Sequence, residues 1–250
     1  MTEPRGWLAW RRLPWPAEIL SIGIGYVFYS FIRVLAPDRI GASYQHAWEL
    51  ESIEKQLGLF PELGLNGFLS RHEVLQDIAS YYYASLHFIV TPVVLVWLWK
   101  RRAQFYSPLR SSLVIASLSA LVVYATFPVA PPRFALPGTV DSVALHPVLW
   151  ESGHGVEGLV NELAAMPSLH VGWALWCAVA IVLGCRSRWR HLAWLYPIGT
   201  ALVVVATANH YILDAAAGAL IVLAPMALCF RWTRSTSSYT TTQVSEAVSA

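Results

Sequence analysis

The chain has 250 residues, of which 56% are hydrophobic and only 13% are charged. A soluble domain carries about twice that share of charge, so the composition indicates a membrane protein. The net charge is +2 and no long basic run is present. This excludes the electrostatic footprint of a nucleic-acid-binding protein, and no nucleic acid is expected as a partner.

Six stretches are apolar enough, and close enough in length to a bilayer crossing, to predict transmembrane helices. They are residues 19–35, 78–99, 111–127, 169–184, 192–208 and 212–230. Each must be helical, because hydrocarbon offers no partner for an unpaired backbone group. The prediction is an all-α integral membrane protein with one six-helix domain, residues 1–234.

The distribution of cations predicts the orientation of this bundle. If six spans alternate, 12 of the 17 Lys and Arg residues fall on the same side as both termini. The positive-inside rule then places the termini in the cytoplasm and the chain in the cell membrane. Residues 36–77 and 128–168 become the two long extracytoplasmic segments.

Two further features lie outside the spans. Trp48, Ile53 and Leu57 recur at near-helical spacing, which indicates a short amphipathic helix at the outer face. Such a helix either lies on the membrane surface or packs on the bundle, and the spacing alone leaves both open. Residues 235–250 are rich in Ser and Thr, which predicts a disordered cytoplasmic tail.

Ionisable side chains gather near the outer ends of three predicted spans. Arg133 follows the third span, His170 opens the fourth, and His210 and Asp214 open the sixth. Such groups are costly to place near a membrane, so a cluster of them is by default a functional site. The topology brings residues that are distant in sequence to one depth.

The spacing of His210 and Asp214 predicts an activated histidine. Residues four apart on a helix share a face. A carboxylate there can accept a hydrogen bond from one imidazole nitrogen and leave the other with its lone pair exposed. That arrangement suits a nucleophile, while His170 is free to donate a proton to a departing oxygen.

Two neighbouring residues are candidates for binding phosphate. Arg133, in Pro131-Pro132-Arg133, offers a planar fork that matches phosphate oxygens. Ser168 is placed to cap the fourth helix, so that the N–H groups at the helix start would lie beside His170. A helix N-terminus favours a bound anion.

These motifs resemble a known family. Residues 167–170 (Pro-Ser-Leu-His) and 210–214 (His-Tyr-Ile-Leu-Asp) are similar to the second and third signatures of the type 2 phosphatidic acid phosphatase superfamily. Residues 127–133 (Phe-Pro-Val-Ala-Pro-Pro-Arg) resemble the inositolphosphotransferase branch, which includes fungal inositolphosphorylceramide synthase. The resemblance spans roughly residues 45–225.

The resemblance implies a six-helix bundle with a metal-independent, cofactor-free site at the outer membrane face, acting through a phosphohistidine. His210 would be the nucleophile, Asp214 its orienting carboxylate and His170 the general acid. The phosphatase form of the third motif carries Ser-Arg where this chain has Val203-Val204. That difference leaves Arg133 as the cation placed for phosphate.

Several alternatives stay open from the sequence. The chain is expected to be a lipid phosphotransferase using an alcohol acceptor, or a lipid phosphate or polyprenyl pyrophosphate phosphatase using water. The two histidines and the carboxylate could instead form a metal-ligand set. A proton-coupled transporter and a non-catalytic scaffold are the non-enzyme alternatives. His87, within the second span, fits an interhelical hydrogen bond better than a catalytic role.

Overall fold

A computed structural model describes residues 39–141 and 163–248, with side chains described as far as Trp232. The helices, in chain order, are α1 (Ile40–Gln56), α2 (Glu62–Leu69), α3 (Glu73–Arg101), α4 (Ala103–Thr126), the single turn α5 (Pro132–Ala135), α6 (Leu169–Gly184), α7 (Leu195–Ala206) and α8 (Ile212–Val248). A 3-10 helix, Arg188–Trp194, leads into α7. In the described ranges there is no strand beyond one isolated bridge between Val129 and Ala164.

Helix α6 lies at the centre of the bundle and contacts α3, α4, α7 and α8. Its residues are nearly all apolar, as expected of a helix surrounded by others. Trp176 is fully buried and donates its indole N–H to the Leu109 carbonyl of α4, at 3.0 Å. Cys177 is a buried free thiol on the same helix. The core therefore forms around the helix that carries His170.

Three of the described helices are long and apolar enough to cross a membrane: Glu73–Arg101, Ala103–Thr126 and Ile212–Trp232. Helix α6, with 16 residues, is a shorter apolar helix. At 1.5 Å per residue it is about 24 Å long, less than the hydrocarbon thickness of a bilayer. The predicted span at residues 19–35 lies outside the described residues. The structure thus supports an all-helical membrane protein, and the count of six spans stays a prediction.

Helix α1 packs on the bundle mainly through residues other than the apolar ones that predicted it, although the Trp48 indole N–H donates to the Ala135 carbonyl at 3.2 Å. Trp48 and Ile53 are exposed, whereas Ala47, Leu50 and Glu54 are buried. The buried face meets residues 129–135, and the Ser43 carbonyl accepts the Ala130 N–H at 3.0 Å. Periodicity located the helix but not its contact face, because a second apolar face is left to meet lipid or solvent.

Helix α8 begins at Ile212 and continues to Val248. Its apolar part ends near Trp232. The helical backbone therefore extends through most of residues 235–250, where the sequence predicts a disordered tail. The cytoplasmic location of that tail is a prediction.

Candidate active site

The loop between α7 and α8 carries His210 and is fixed by backbone hydrogen bonds. The Val204 carbonyl accepts the N–H groups of both Asn209 and His210, at 3.0 and 3.1 Å. Ala208 adopts a left-handed conformation with φ of 55°, which is uncommon for a residue other than glycine. Asn209 ties the loop further through its side-chain amide, which donates to the Thr207 hydroxyl at 2.8 Å. The backbone that presents His210 is thus held in one conformation.

The ring of His210 is oriented by a backbone carbonyl. Its Nδ1 lies 2.8 Å from the Ala165 carbonyl oxygen. A carbonyl only accepts hydrogen bonds, so Nδ1 must carry the proton and Nε2 of the neutral ring keeps its lone pair. Ala165 is itself held, since its N–H donates to the Val129 carbonyl at 3.0 Å. Nε2 is buried and has no hydrogen-bond partner among the described residues.

Asp214 is fully buried behind this ring, yet it is not the primary partner of Nδ1. Its Oδ2 lies 3.6 Å from Nδ1, beyond the range of a direct hydrogen bond. The same oxygen accepts the Tyr211 N–H at 2.8 Å. The predicted side-by-side placement of the two residues is present, but the Ala165 carbonyl rather than Asp214 defines the tautomer.

His170, the second residue of α6, is brought to His210 as the motif spacing predicts. The centroids of the two imidazole rings are 5.7 Å apart, with their planes inclined at 58°. Tyr83 of α3 stacks on the other side of His170, with ring centroids 4.3 Å apart. Across residues 39–141 and 163–248, no group of three His, Cys, Asp or Glu side chains is arranged to hold a metal ion.

His87 is closer to this pair than its sequence context indicates. Its ring meets that of His170 edge-on, with centroids 4.3 Å apart. One ring nitrogen hydrogen-bonds the Tyr83 carbonyl one turn earlier on α3. A small cavity is lined by both histidines. His87 therefore forms a local hydrogen bond and also contacts the predicted general acid. The sequence did not predict the second contact, because His87 is far along the chain from the other motifs.

Ser168 occupies the N-cap position of α6, as predicted, but its hydroxyl forms no capping hydrogen bond. The Oγ atom is buried and has no partner in the described part of the chain. The Ser168 N–H instead donates to the Asp214 carbonyl at 2.9 Å, which joins the starts of α6 and α8. Within residues 39–141 and 163–232, nothing therefore uses this hydroxyl, which lies at the end of the helix that presents His170.

Two glycines allow α6 and α8 to approach this closely. A Cβ atom at Gly172 would lie 2.8 Å from the Gly218 carbonyl oxygen, and one at Gly218 would overlap the Ser168 carbonyl oxygen. Neither position has room for a side chain. The two histidine motifs share one site because glycine occupies both crossing points.

Arg133 reaches the same end of the bundle through α5. Its backbone N–H donates to the Ala208 carbonyl at 2.8 Å, two residues before His210. Its Nε lies 3.5 Å from the Asp141 carboxylate, and its guanidinium lies over the Phe134 ring at 4.6 Å. Its side chain is 10% exposed. Arg133 is thus anchored beside the His210 loop but already has a carboxylate neighbour.

Comparison with known proteins identifies the family that this geometry belongs to. A sequence model of the PAP2 superfamily matches residues 48–228, well over half of the chain. The chain belongs to the PAP2 superfamily. All five predicted site residues lie inside the matched range: Arg133, Ser168, His170, His210 and Asp214.

The fold of this PAP2 protein is similar to that in the crystal structure of Aquifex aeolicus LpxE. The TM-score is 0.51 at 18% sequence identity, and the match covers 70% of this chain and 94% of that chain. At this identity the likeness concerns the fold alone. No curated protein matches the chain significantly.

The residues at this end of the bundle have side chains of the kinds that phosphoryl transfer uses. Nε2 of His210 has no partner among the described residues, and the centroid of the His170 ring lies 5.7 Å from that of His210. The unpartnered Ser168 hydroxyl and the first N–H groups of α6 face the same end of the bundle and suit phosphate oxygens. Such a site can stabilise a pentavalent phosphoryl group largely by positioning and charge.

Proposed function

We propose that this protein is a membrane lipid phosphotransferase that acts on lipid phosphate esters through a phosphohistidine at His210. The observation that carries the proposal is the Nε2 atom of His210, which is buried and unpartnered while Nδ1 is committed to the Ala165 carbonyl. A buried lone pair without a partner is costly unless a substrate uses it.

The reaction has two half-reactions. Nε2 of His210 attacks the phosphorus, the bond from phosphorus to the leaving oxygen breaks, and His170 protonates that oxygen. His170, now neutral, then takes the proton of the acceptor hydroxyl. The acceptor oxygen attacks the phosphohistidine, and the phosphorus–nitrogen bond breaks to regenerate His210.

Ser168 and Arg133 are proposed to bind the phosphate oxygens. The Ser168 hydroxyl has no hydrogen-bond partner among the described residues, which supports its assignment. For Arg133 the proposal requires the guanidinium to bind the substrate in addition to, or in place of, Asp141, from which Nε is 3.5 Å away. A planar guanidinium has donors enough for both.

The acceptor is proposed to be an alcohol, with water as the second candidate. The Pro131-Pro132-Arg133 segment, which resembles the inositolphosphotransferase branch, supports the alcohol. Membership of the PAP2 superfamily is equally consistent with a phosphatase. The proposed setting is a six-span bundle in the cell membrane with both termini cytoplasmic and the site extracytoplasmic.

The test supplies radiolabelled lipid phosphates to the purified full-length chain in lipid vesicles, with a chelator and with or without a polyol such as inositol. A new labelled lipid or polyol phosphate supports the transferase, and free phosphate supports the phosphatase. An acid-labile, base-stable phosphoprotein should form in either case. No turnover and no phosphoprotein across the panel would refute an enzyme of this class and favour a transporter or scaffold.

A further inference from the structure

Two glutamates outside the motifs are buried next to the catalytic loop. Glu54 near the end of α1 and Glu62 at the start of α2 are both fully buried. Both helices come before Glu73–Arg101, the first of the described helices that is long and apolar enough to cross a membrane. Glutamate is almost never fully buried without a partner, so each side chain needs a physical reason for its position.

Both carboxylates bind the N-terminus of α8. One oxygen of Glu54 accepts the Leu213 N–H at 2.7 Å, and one oxygen of Glu62 accepts the Ile212 N–H at 3.2 Å. Asp214 accepts the preceding N–H, that of Tyr211. Three successive N–H groups that a helix start leaves unpaired are therefore taken by three carboxyl groups. Two of these belong to residues 150 and 159 positions earlier in the chain.

The remaining oxygens of the two glutamates indicate a shared proton. Oε2 of Glu54 and Oε2 of Glu62 are both buried and have no N–H or O–H donor among the described residues. The two side chains interact directly with each other. A carboxyl group buried beside a second one resists ionisation, and a proton kept on Glu54 gives its otherwise unpaired oxygen a hydrogen bond to donate to Glu62.

The electrostatic surroundings favour Glu54 as the residue that carries this proton. Burial raises the pKa of Glu54 from 4.5 to about 8, and the charges of Glu62 and Asp214 act in the same direction. The Leu213 N–H opposes them by stabilising the carboxylate. Tyr211 also lies near all three acids. The half-buried Glu51 nearby on α1 is paired with Lys55 at 2.6 Å.

We propose that Glu54 and Glu62 act as a positioning pair that shares one proton and holds the start of α8, thereby fixing the loop that presents His210. This proposal rests on the proposed function, because the pair affects turnover only if His210 is the nucleophile. Loss of the proton places a further negative charge beside Glu62 and Asp214 and weakens the hold on the helix start.

The test compares Glu54→Gln, Glu54→Ala and Glu62→Ala in the full-length protein. Glutamine keeps an oxygen for the Leu213 N–H and an N–H for Glu62, so it imitates protonated Glu54. We expect Glu54→Gln to retain turnover at neutral pH, and both alanine variants to lose about 10- to 100-fold in kcat with little change in KM, as expected for a misplaced nucleophile. Equal losses for Glu54→Gln and Glu54→Ala would overturn the proposal.

The pH dependence separates positioning from a general structural role. The pKa of Glu54 is raised in the folded protein, so its contribution to stability is complete below about 4.5 and lost as the pH rises to about 8. The difference between the Tm of Glu54→Gln and that of the parent protein should therefore increase from pH 5 to pH 8. The activity of the variant should persist above pH 8. Glu49→Gln, exposed on the same helix, is the matched control and should show neither change.

The two proposals fail in different ways. If the parent protein neither turns over lipid phosphates nor forms a phosphoprotein, the proposed function fails, while the pH-dependent Tm difference still tests the shared proton. If the parent protein is active but the Tm difference does not vary with pH, the positioning pair is wrong and the phosphohistidine mechanism stands.

Discussion

The two histidines of the site are held in contrasting ways. His210 lies on a loop in which its backbone N–H donates to the Val204 carbonyl and its ring Nδ1–H donates to the Ala165 carbonyl. His170 is instead packed between aromatic rings, with Tyr83 stacked on it and His87 at its edge. The first arrangement selects one tautomer, whereas the second fixes the position of a ring through contacts with other rings. This difference suits a nucleophile and an acid–base group respectively.

The largest effect is expected from His210→Ala, which removes the only proposed covalent group. Turnover should fall by about 10⁴-fold or more, by analogy with the loss of a nucleophile in other covalent enzymes. No phosphoprotein should form, because His170 lacks the fixed tautomer. Far-UV circular dichroism and Tm close to those of the parent protein would show that the fold is intact. A folded variant with near-normal turnover would refute the assignment.

His170→Ala should cost less and in a different step. Loss of general acid catalysis is worth about 10²- to 10⁴-fold on an alkyl ester, which needs a proton on its leaving oxygen. A p-nitrophenyl ester leaves without that proton, so labelled phosphohistidine should form at close to the normal rate and then accumulate. If both substrates lose the same factor in the first step, His170 is not the acid.

Gly218→Ala tests the close crossing that brings the two histidines together. The added methyl group would overlap the Ser168 carbonyl, and overpacking of this kind costs about 1–3 kcal/mol in stability. Because Ser168 and His170 would be displaced, kcat should fall as well. The control is Gly199→Ala in α7, where the nearest atom to the new Cβ is 3.6 Å away. A Gly218→Ala protein with unchanged Tm and kcat would show that the crossing tolerates a side chain.

Sequence reasoning found the parts of the site that are local. The spacing of His210 and Asp214 placed the two residues near each other, although His210 lies in the loop two residues before α8 begins rather than on the helix. Ser168 and His170 lie at a recognisable helix start, as short-range rules predict. The Ala165 carbonyl could not be predicted, because its contact with His210 is made only when a segment 45 residues away folds over the loop. Every residue has a backbone carbonyl, so the type of residue at an acceptor position does not reveal the hydrogen bond.

The same limit explains why the glutamates were missed. Glu54 lies on a helix whose apolar residues Trp48 and Ile53 drew the prediction toward the opposite face. A glutamate on a surface helix is ordinarily solvated, and only the tertiary fold shows Glu54 and Glu62 buried against the start of α8. When a residue distant in sequence caps a helix, there is no characteristic spacing between the two positions, whereas capping by a neighbouring residue has one.

The smallest effect is expected from Asp214→Asn, and it distinguishes the two candidate partners of Nδ1. In a serine protease triad, where the carboxylate is the direct partner of Nδ1, the same change costs about 10⁴-fold. Here the Ala165 carbonyl holds Nδ1 at 2.8 Å, and Asp214 stands at 3.6 Å. The asparagine oxygen can still accept the Tyr211 N–H, so only charge stabilisation is lost. A roughly tenfold decrease in kcat is therefore expected, within the range for one weakened electrostatic contact. Asp214→Ala, which also removes the acceptor for Tyr211, should cost more. If Asp214→Asn matched His210→Ala, the carboxylate rather than the carbonyl would set the tautomer, because a ring still held by Ala165 would keep its reactive nitrogen.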